Sequence, residues 1–361
     1  MPYREAAVNS AFNIVLRAAD EERRGLFLAT ATRLGTAVQN VEKDFWVCWT
    51  LDALFNGLKP GGPRLLFKGG TSLSKAFGLI ARFSEDIDIT VAREDLGQPI
   101  EAVDLDGLSG KQRRLRLEAI RHSCRDYIMD NLQGEFIRIA QASIPGGKFK
   151  VEPDPDDADQ QTLLFWYPAV TGATGDYIRA AVKIEAGAKS AIDPHLDVSL
   201  MPLVANDLPE TDLTVTNVTT VKPERTFWDK VVILHGLRQW YERRGILRQQ
   251  GQRVSRHYYD LHQLLLSKEA KSWIADYGLA LDCARHARLF FGSTDLGLDS
   301  AAPGSFTLVP PQQMREALAR DYDAMVGMIF GHAPSFEAVL KSIYKLEESL
   351  NATPAQESKI V

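Results

Sequence analysis

The sequence predicts an α+β protein in which a mixed sheet flanked by helices is followed by a helical C-terminal domain. Short apolar runs bounded by glycine or proline recur between residues 64 and 218, and such runs are typical of strands. From Pro223 to about Leu350 the apolar residues recur with a helical period instead. The predicted domains are therefore 1–220 with N-terminal helices, 221–350, and a flexible polar tail at 351–361.

The elements of the mixed part follow from periodicity and breaker residues. Residues from about 10 to 58 predict two helices, of which the second is the aromatic-rich segment from Val41 to Phe55. The segment from Glu152 to Asp157 is rich in proline and aspartate and predicts a turn or loop. Strands are predicted near 64–68, 86–91, 134–141, 161–168, 178–186 and 212–218.

A glycine turn after the first predicted strand has the character of a phosphate-binding loop. Gly69 and Gly70 permit positive φ and leave no side chain in the way of a ligand. Thr71 and Ser72 can cap a helix that runs to about Leu79, and unpaired N–H groups in a first helical turn favour an anion such as a triphosphate. The candidate nucleotide-binding residues are Lys68, Gly69, Gly70, Thr71, Ser72 and Lys75.

Two acids alternate with apolar residues in the predicted strand 86–91. With a strand period of two, Asp86 and Asp88 face one side while Ile87 and Ile89 face the core. Mg²⁺ or Mn²⁺ relieves the repulsion between two such carboxylates, because hard cations prefer carboxylate and phosphate oxygens. On its own an acid-x-acid strand is usually a solvated face, but its place after strand, glycine turn and helix favours a metal site.

These motifs resemble the AbiEii/AbiGii-type nucleotidyltransferase toxins of bacterial abortive-infection and toxin–antitoxin systems, within the DNA polymerase β-like superfamily. The resemblance implies a polymerase β-like nucleotidyltransferase core that uses Mg²⁺ or Mn²⁺ and an NTP. It further implies transfer of NMP to an RNA acceptor, favouring the 3′ end of tRNA, with release of pyrophosphate and a cognate antitoxin as partner. The matching segments span roughly 40–265 and are 41–46, 68–75, 82–88, 182–185, 223–234 and 258–261.

The resemblance also implies roles for individual side chains. Asp86 and Asp88 resemble the family's metal-binding pair, and Glu185 would be a third metal carboxylate. Lys183, two residues before Glu185 on the same predicted strand face, would neutralise phosphate charge, as would Lys230 in the helical domain. For Lys183 and Glu185 the alternative is an ordinary ion pair on a wet sheet face.

Two acids lie near helical motifs that depart from the family pattern. Phe227 stands where an acid is expected three residues before Lys230, and His257 stands where the family usually has an aspartate. Asp229 and Asp260 are therefore the weaker site candidates. The alternative for both is that they cap or bridge helices, which is the commoner role of charges on a helical face.

An arginine-rich segment of the helical domain is the candidate RNA contact. It is interleaved with Trp240, Tyr241 and Tyr258, and guanidinium groups both bind phosphates and stack on bases. The alternative is a solvated helix end and loop. The arginines are Arg238, Arg243, Arg244, Arg248, Arg253 and Arg256.

Composition limits the class of protein. With 361 residues, of which 45% are hydrophobic, the chain can bury a large core, and its net charge of −5 does not indicate general nucleic-acid binding. Cys48, Cys124 and Cys283 are scattered, which predicts reduced thiols and no zinc site. The absence of a long apolar stretch and of a secretory signal predicts a cytoplasmic protein with no membrane partner.

Two other functions stay open at the level of sequence. The first keeps the chemistry but transfers the NMP to a protein hydroxyl, in which case the arginines between 238 and 256 would be dispensable for acceptor modification. The second is a non-catalytic interaction protein that retains the fold as a scaffold. A protein of that kind would fail to bind an NTP with metal.

Overall fold

The computed structural model describes residues 7–84, 86–172, 180–248 and 254–352, and the chain divides into two compact units. The first unit comprises residues 1–78, 83–101 and 108–221, and the second comprises 79–82, 102–107 and 222–361. Three predictions fall wholly or partly outside the described residues: the start of the strand at 178–186, Arg253, and the tail from residue 353.

In the part of the chain that the structure describes, seven strands of the first unit form one mixed sheet. They are β1 Leu65–Lys68, β2 Asp86–Val91, β3 Lys150–Pro153, β4 Thr162–Trp166, β5 Ala181–Gly187, β6 His195–Leu200 and β7 Val215–Val221. Their order across the sheet is β3-β4-β5-β2-β1-β7-β6, so β2 is the central strand. β2 runs antiparallel to β1 and parallel to β5. Parallel and antiparallel neighbours therefore meet at β2, which carries the predicted acids.

Within the described residues, the first unit also contains six helices. They are α1 Phe12–Leu16, α2 Asp20–Leu34, α3 Val38–Asp52, α4 Gly69–Lys75, α6 Gly110–Tyr127 and α7 Gln133–Ser143. A π-helical turn at Ala53–Gly57 extends α3, and another at Ile128–Leu132 joins α6 to α7. α3 packs against β2, β5 and β7.

The apolar face of the sheet forms the core of the first unit. Ile87 of β2 and Ile184 of β5 are buried on this face, as is Phe165 of β4. Trp46 and Trp49 of α3 lie with their rings 5.8 and 5.4 Å from the Phe165 ring. Each large side chain buried in this way contributes about 1.5–3 kcal/mol to the free energy of unfolding. The alternation of β2 and β5 then directs their charged residues to the opposite face.

The second unit is helical in its C-terminal part, as the sequence predicts. Its helices are α5 Ala102–Asp106, α8 Pro223–Arg244, α9 Ser255–Leu264, α10 Ala270–Ala275, α11 Tyr277–Phe290, α12 Gln312–Met325 and α13 Phe336–Asn351. α8 packs against α9 and α11, and α9 also packs against α12 and α13. Phe227 and Trp228 of α8 are fully buried in this core.

The structure corrects the predicted strand at 134–141, which belongs to helix α7. Its buried residues are Phe136, Ile139 and Ala140, and this i, i+3, i+4 spacing gives one face of a helix. Three α-helices rather than two lie between residues 10 and 58, and β7 begins three residues later than the predicted strand at 212–218.

Two edge strands, β3 and β6, were not predicted. β3 includes Glu152 and Pro153, which the sequence assigns to a loop, and a proline is tolerated there because an edge strand has one unpaired side. β6 has apolar residues at alternate positions, Leu196, Val198 and Leu200, so its period-two pattern is present in the sequence even though three of its first four residues are exposed. Edge position thus explains the omission of β3 but not that of β6.

Two further predictions concern the cysteines and membrane-spanning segments. Cys48, Cys124 and Cys283 are all buried and form no disulfide, in agreement with the prediction of reduced thiols. No helix within the described ranges is long and apolar enough to cross a membrane.

Candidate active site

The face of the sheet opposite α3 carries charged side chains in register across three strands. In the strand register, Lys68 of β1 lies opposite Asp88 of β2, and Asp88 lies opposite Glu185 of β5. Two residues earlier along β2, Asp86 lies opposite Lys183 of β5. Residues opposite each other in register point to the same side of a sheet, so these five side chains share one surface. We refer to this set of five residues as the polar face.

The glycine turn touches the polar face at Gly69. Gly69 has φ +79°, and a Cβ atom at this position would lie 2.1 Å from Oδ2 of Asp88. Glycine alone tolerates this backbone conformation and this close approach. The turn and the second acid of the pair are therefore in direct contact.

The hydroxyl groups of the turn form bonds within the first unit. Thr71 Oγ1 donates to the backbone carbonyl of Asp86 and lies 2.7 Å from Ser84 Oγ. Ser72 Oγ donates to the carbonyl oxygen of Gly69 at 2.9 Å. Both side chains are fully buried. The Thr71 bond ties the start of α4 to the start of β2, and thereby to the acid pair.

Lys75, at the end of α4, forms an ion pair with α3. Its Nζ lies 2.6 Å from Asp44 Oδ1, and both side chains are largely buried. Asp44 Oδ2 also accepts a hydrogen bond from the backbone N–H of Leu203 at 2.6 Å. Burial opposes the charged form of Lys75, but the Asp44 carboxylate outweighs burial and raises the pKa of Lys75. The pair therefore anchors α4 on α3.

Lys183 lies between two carboxylates. Its Nζ is 2.8 Å from Glu185 Oε1 and 3.2 Å from Asp154 Oδ2. Burial favours the neutral amine, but the two carboxylates outweigh it and raise the pKa of Lys183. The side chain is 34% exposed, so a ligand can approach it from solvent. The ion pair between Lys183 and Glu185 that the sequence offered as an alternative is present.

Asp86 and Asp88 fit a divalent cation that is held jointly with substrate. No group of three or more His, Cys, Asp or Glu side chains in the described chain is arranged to hold a metal ion by itself. Asp86 and Asp88 nevertheless lie on one strand face, with Glu185 opposite Asp88. Mg²⁺ is commonly bound by one or two carboxylates together with substrate phosphates and water. The donor set thus suits Mg²⁺ or Mn²⁺ in the presence of a triphosphate.

The second unit contains a buried ion cluster of Arg82, Lys230 and Asp260. Asp260 accepts hydrogen bonds from Arg82 at 2.7 and 2.9 Å and from Lys230 Nζ at 2.8 Å. Burial alone would raise the pKa of Asp260, but the two cations outweigh it and hold this pKa well below its usual range. Burial keeps the pKa of nearby His257 well below its ordinary value. The cluster joins α8, which carries Lys230, to α9, which carries Asp260.

The predicted RNA-contacting arginines differ in their surroundings. The guanidinium groups of Arg244 and Arg248 lie 5.6 and 5.8 Å from the centre of the Trp240 ring. Arg244 also pairs with Asp295 at 2.5 Å. Arg238 instead donates to a glutamate one turn along α8 and to a backbone carbonyl, so it belongs to the fold of the second unit.

The other predicted arginines of the second unit, and Asp229, have different surroundings. Arg243 is exposed and Arg256 is half-buried, while Arg253 lies outside the described residues. Asp229 lies 3.5 Å from Arg225 on the same face of α8. An i, i+4 ion pair of this kind is a common feature of helix surfaces.

Two acids that form ion pairs with predicted site lysines were not themselves predicted as site residues. Asp44 ends a run of three charged residues, Glu42 to Asp44, directly before the apolar segment Phe45–Trp49, and charges beside a segment that must be buried signal a need for buried partners. Asp154 follows β3, which sequence patterns did not reveal. Its contact with Lys183 depends on the register of β3, β4 and β5, for which the sequence gives no local signal.

The combination of fold and polar face defines a class of protein. A mixed sheet whose central strand bears paired aspartates beside a glycine turn, followed by a helical region, is a polymerase β-like nucleotidyltransferase fold. The family model for the nucleotidyl transferase AbiEii toxin of type IV toxin–antitoxin systems matches residues 52–342, which is more than half of the chain. The protein therefore belongs to the AbiEii family of nucleotidyltransferase toxins.

A solved structure has a similar fold. MenT4, a nucleotidyltransferase toxin from Mycobacterium tuberculosis H37Rv, superposes with a TM-score of 0.50 at 15% sequence identity, covering 92% of this chain and 90% of MenT4. Comparison with curated protein sequences gives no match. The predicted family, fold class and enzyme class are thus confirmed, and family membership implies an NTP substrate and an antitoxin.

Proposed function

We propose that the protein transfers NMP from an NTP to an RNA acceptor, favouring the 3′ end of tRNA, and so blocks translation unless an antitoxin restrains it. The acceptor hydroxyl oxygen attacks the α-phosphorus and loses its proton, the bond from the α-phosphorus to the bridging oxygen breaks, and pyrophosphate leaves. The observation that carries the proposal is the contact between the Gly69 turn and Asp88 on the polar face, because it joins a phosphate-accessible backbone to paired carboxylates.

The residues of the polar face divide the work of positioning and charge stabilisation. Asp86 and Asp88 bind a divalent cation, which when bound stabilises the charge that develops on the phosphate oxygens. The backbone of the Gly69–Gly70 turn lies alongside the triphosphate, and Lys68 and Lys183 offset its negative charge. Glu185, opposite Asp88, is the proposed third carboxylate.

Several sequence-derived assignments stay predictions of this proposal. Thr71, Ser72 and Lys75 have bonds within the first unit, so a nucleotide would have to compete for these side chains. Lys230 has Asp260 as its partner. We expect substitution of each of these residues to reduce activity, because each one helps to hold a helix or strand in place.

The Trp240 ring and its flanking arginines support an RNA acceptor. The guanidinium groups of two arginines lie within 6 Å of the Trp240 ring. Proteins that bind single-stranded RNA use aromatic rings to stack on bases and positive charges to contact phosphates. Family membership supports the transfer chemistry, whereas the choice of RNA over protein rests on this local feature and on the resemblance to tRNA-modifying members.

The proposal is tested by incubating the purified protein with total cellular RNA, Mg²⁺ and each α-³²P-labelled NTP in turn. We expect label on a tRNA-sized band, and no label with the Asp86→Asn/Asp88→Asn double variant. Label on protein in a lysate, with none on RNA, would support transfer to a protein hydroxyl. Failure of the wild-type protein to bind any NTP with metal would support the scaffold alternative.

The acceptor surface is tested separately with Arg243→Gln/Arg248→Gln. Both arginines are exposed, so these changes should leave stability within about 0.5 kcal/mol. With an RNA acceptor we expect a rise in KM for RNA and little change in KM for NTP. Unchanged acceptor modification would favour a protein substrate. Arg320→Gln, at an exposed surface position on α12, serves as the matched control.

A further inference from the structure

Asp154 is a buried carboxylate that is oriented from three directions. Only 5% of the residue is exposed. Its backbone N–H donates to the carbonyl oxygen of Thr162 at 2.9 Å, which extends the pairing of β3 with β4 by one residue. Its Oδ1 accepts a hydrogen bond from the N–H of Asp156 at 3.1 Å. The remaining oxygen, Oδ2, faces Lys183 at 3.2 Å.

The turn geometry alone does not require a charge at this position. An asparagine side chain provides the same oxygen acceptor for an N–H two residues along. A buried carboxylate, in contrast, is costly unless a cation pairs with it. Lys183 is the cation within reach of Asp154, so the pair accounts for the acidic side chain.

The pair also constrains Lys183. A lysine ammonium ends a flexible four-carbon chain, and a single exposed ion pair holds it only weakly. Lys183 has Glu185 on one side and Asp154 on the other, at 2.8 and 3.2 Å. The ammonium group of Lys183 is thus shared between Asp154 and Glu185. Lys183 is therefore held between two carboxylates, on the same sheet face as Asp86, its partner in register.

We propose that Asp154 is a positioning residue for nucleotidyl transfer, which holds the ammonium group of Lys183 where it meets the triphosphate. This inference rests on the proposed function, in which Lys183 offsets phosphate charge. Without the Asp154 carboxylate, Lys183 turns to Glu185 alone, and the polar face binds the nucleotide less well. Asp154 itself touches neither substrate nor the reacting atoms.

The test is Asp154→Asn, which retains the oxygen acceptor for Asp156 and removes the charge. We expect KM for NTP to rise on the order of tenfold, with a smaller change in kcat. Equilibrium binding of a fluorescent NTP should weaken by a similar factor. Glu152→Gln is the matched control, because Glu152 is an acid of the same sheet region that pairs with Lys150 and not with Lys183. That variant should keep wild-type KM.

A double-mutant cycle separates positioning from a structural role. In a Lys183→Met background, Asp154→Asn should have no further effect on KM for NTP, since the group that it positions is gone. If the two substitutions act additively on KM, or if Asp154→Asn lowers only the melting temperature, the positioning role is overturned while the proposed function stands. If the wild-type protein neither binds NTP nor transfers label, the proposed function fails, and the positioning role fails with it.

Discussion

Charged side chains are arranged in opposite ways in the two units. On the polar face of the first unit, Lys183 and Glu185 pair while 34% and 38% exposed. In the buried ion cluster of the second unit, Arg82, Lys230 and Asp260 pair while 5%, 7% and 0% exposed. A residue of an exposed ion pair can leave its partner and bind a ligand at little cost in free energy. Separating a buried ion pair is costly, because it leaves unpaired charges out of contact with water.

We expect this difference to separate groups whose loss first affects activity from groups whose loss first affects stability. An exposed ion pair contributes about 0–1 kcal/mol to stability, so stability does not explain a row of charges across three strands. Loss of one partner from a buried cluster costs about 3–5 kcal/mol. Substitutions on the polar face should therefore reduce activity and spare stability, while substitutions in the buried ion cluster should reduce stability first.

The strongest test of this contrast is Asp88→Asn. We expect transfer of labelled NMP to fall by about 10³-fold or more, because an electrostatic group at the reacting centre is lost. The free energy of unfolding should change by no more than about 0.5–1 kcal/mol, since Asp88 is half-buried and asparagine keeps its size and shape. Single-turnover assays and urea denaturation of the same preparation measure the two effects. A large loss of stability would end the distinction between the units.

The converse test is Asp260→Asn. We expect a loss of about 3–5 kcal/mol in the free energy of unfolding, because Arg82 and Lys230 remain buried without their anion. Asp295→Asn is the control, since the partner of Asp295 is Arg244, whose side chain is 56% exposed. That pair should contribute about 1 kcal/mol or less. Equal effects of the two substitutions in urea denaturation would contradict the assignment of the cluster to stability.

The sequence predicted those parts of the site that are local along the chain. Strand β2 was predicted with its observed bounds, because Ile87 and Ile89 face an apolar core while Asp86 and Asp88 do not. The contact of Gly69 with Asp88 could not be read from the sequence, but the residue types that allow it were visible. Patterns of period two and glycine turns therefore located the centre of the polar face.

What the sequence could not predict depends on register and edges. The contact between Asp154 and Lys183 joins residues of different strands through the alignment of β3 with β4 and of β4 with β5. The segment 134–141 was misjudged because a short apolar run fits a buried strand as well as a helix, and only packing decides between them. The ion cluster likewise joins Arg82 to Asp260 across 178 positions of the chain.

An intermediate effect is expected for Gly69→Ala. The added Cβ would meet Asp88 Oδ2 at 2.1 Å and displace the carboxylate, and a misplacement of about 1 Å at a reacting centre can reduce the rate about 10²-fold. Gly61→Ala is the matched control, because Gly61 also has positive φ, +92°, but a Cβ there would have no neighbour within 4 Å. The control should show only the backbone cost in thermal unfolding. Equal loss of transfer activity in both variants would show that backbone strain, and not displacement of Asp88, is the cause.

The smallest expected effect is on how steeply the free energy of unfolding falls at acidic pH. The folded-state pKa of Asp260 lies below its value of about 3.9 in an unfolded chain, because Arg82 and Lys230 outweigh the effect of burial. The contribution of the carboxylate to stability is therefore complete above about pH 4 and is lost as pH falls through the folded-state pKa, at up to about 1.4 kcal/mol per pH unit. In urea denaturation between about pH 2 and 6, wild type should lose stability more steeply below about pH 4 than Asp260→Asn does. An acid slope of Asp260→Asn equal to that of wild type would mean that the buried ion cluster does not carry this part of the pH dependence.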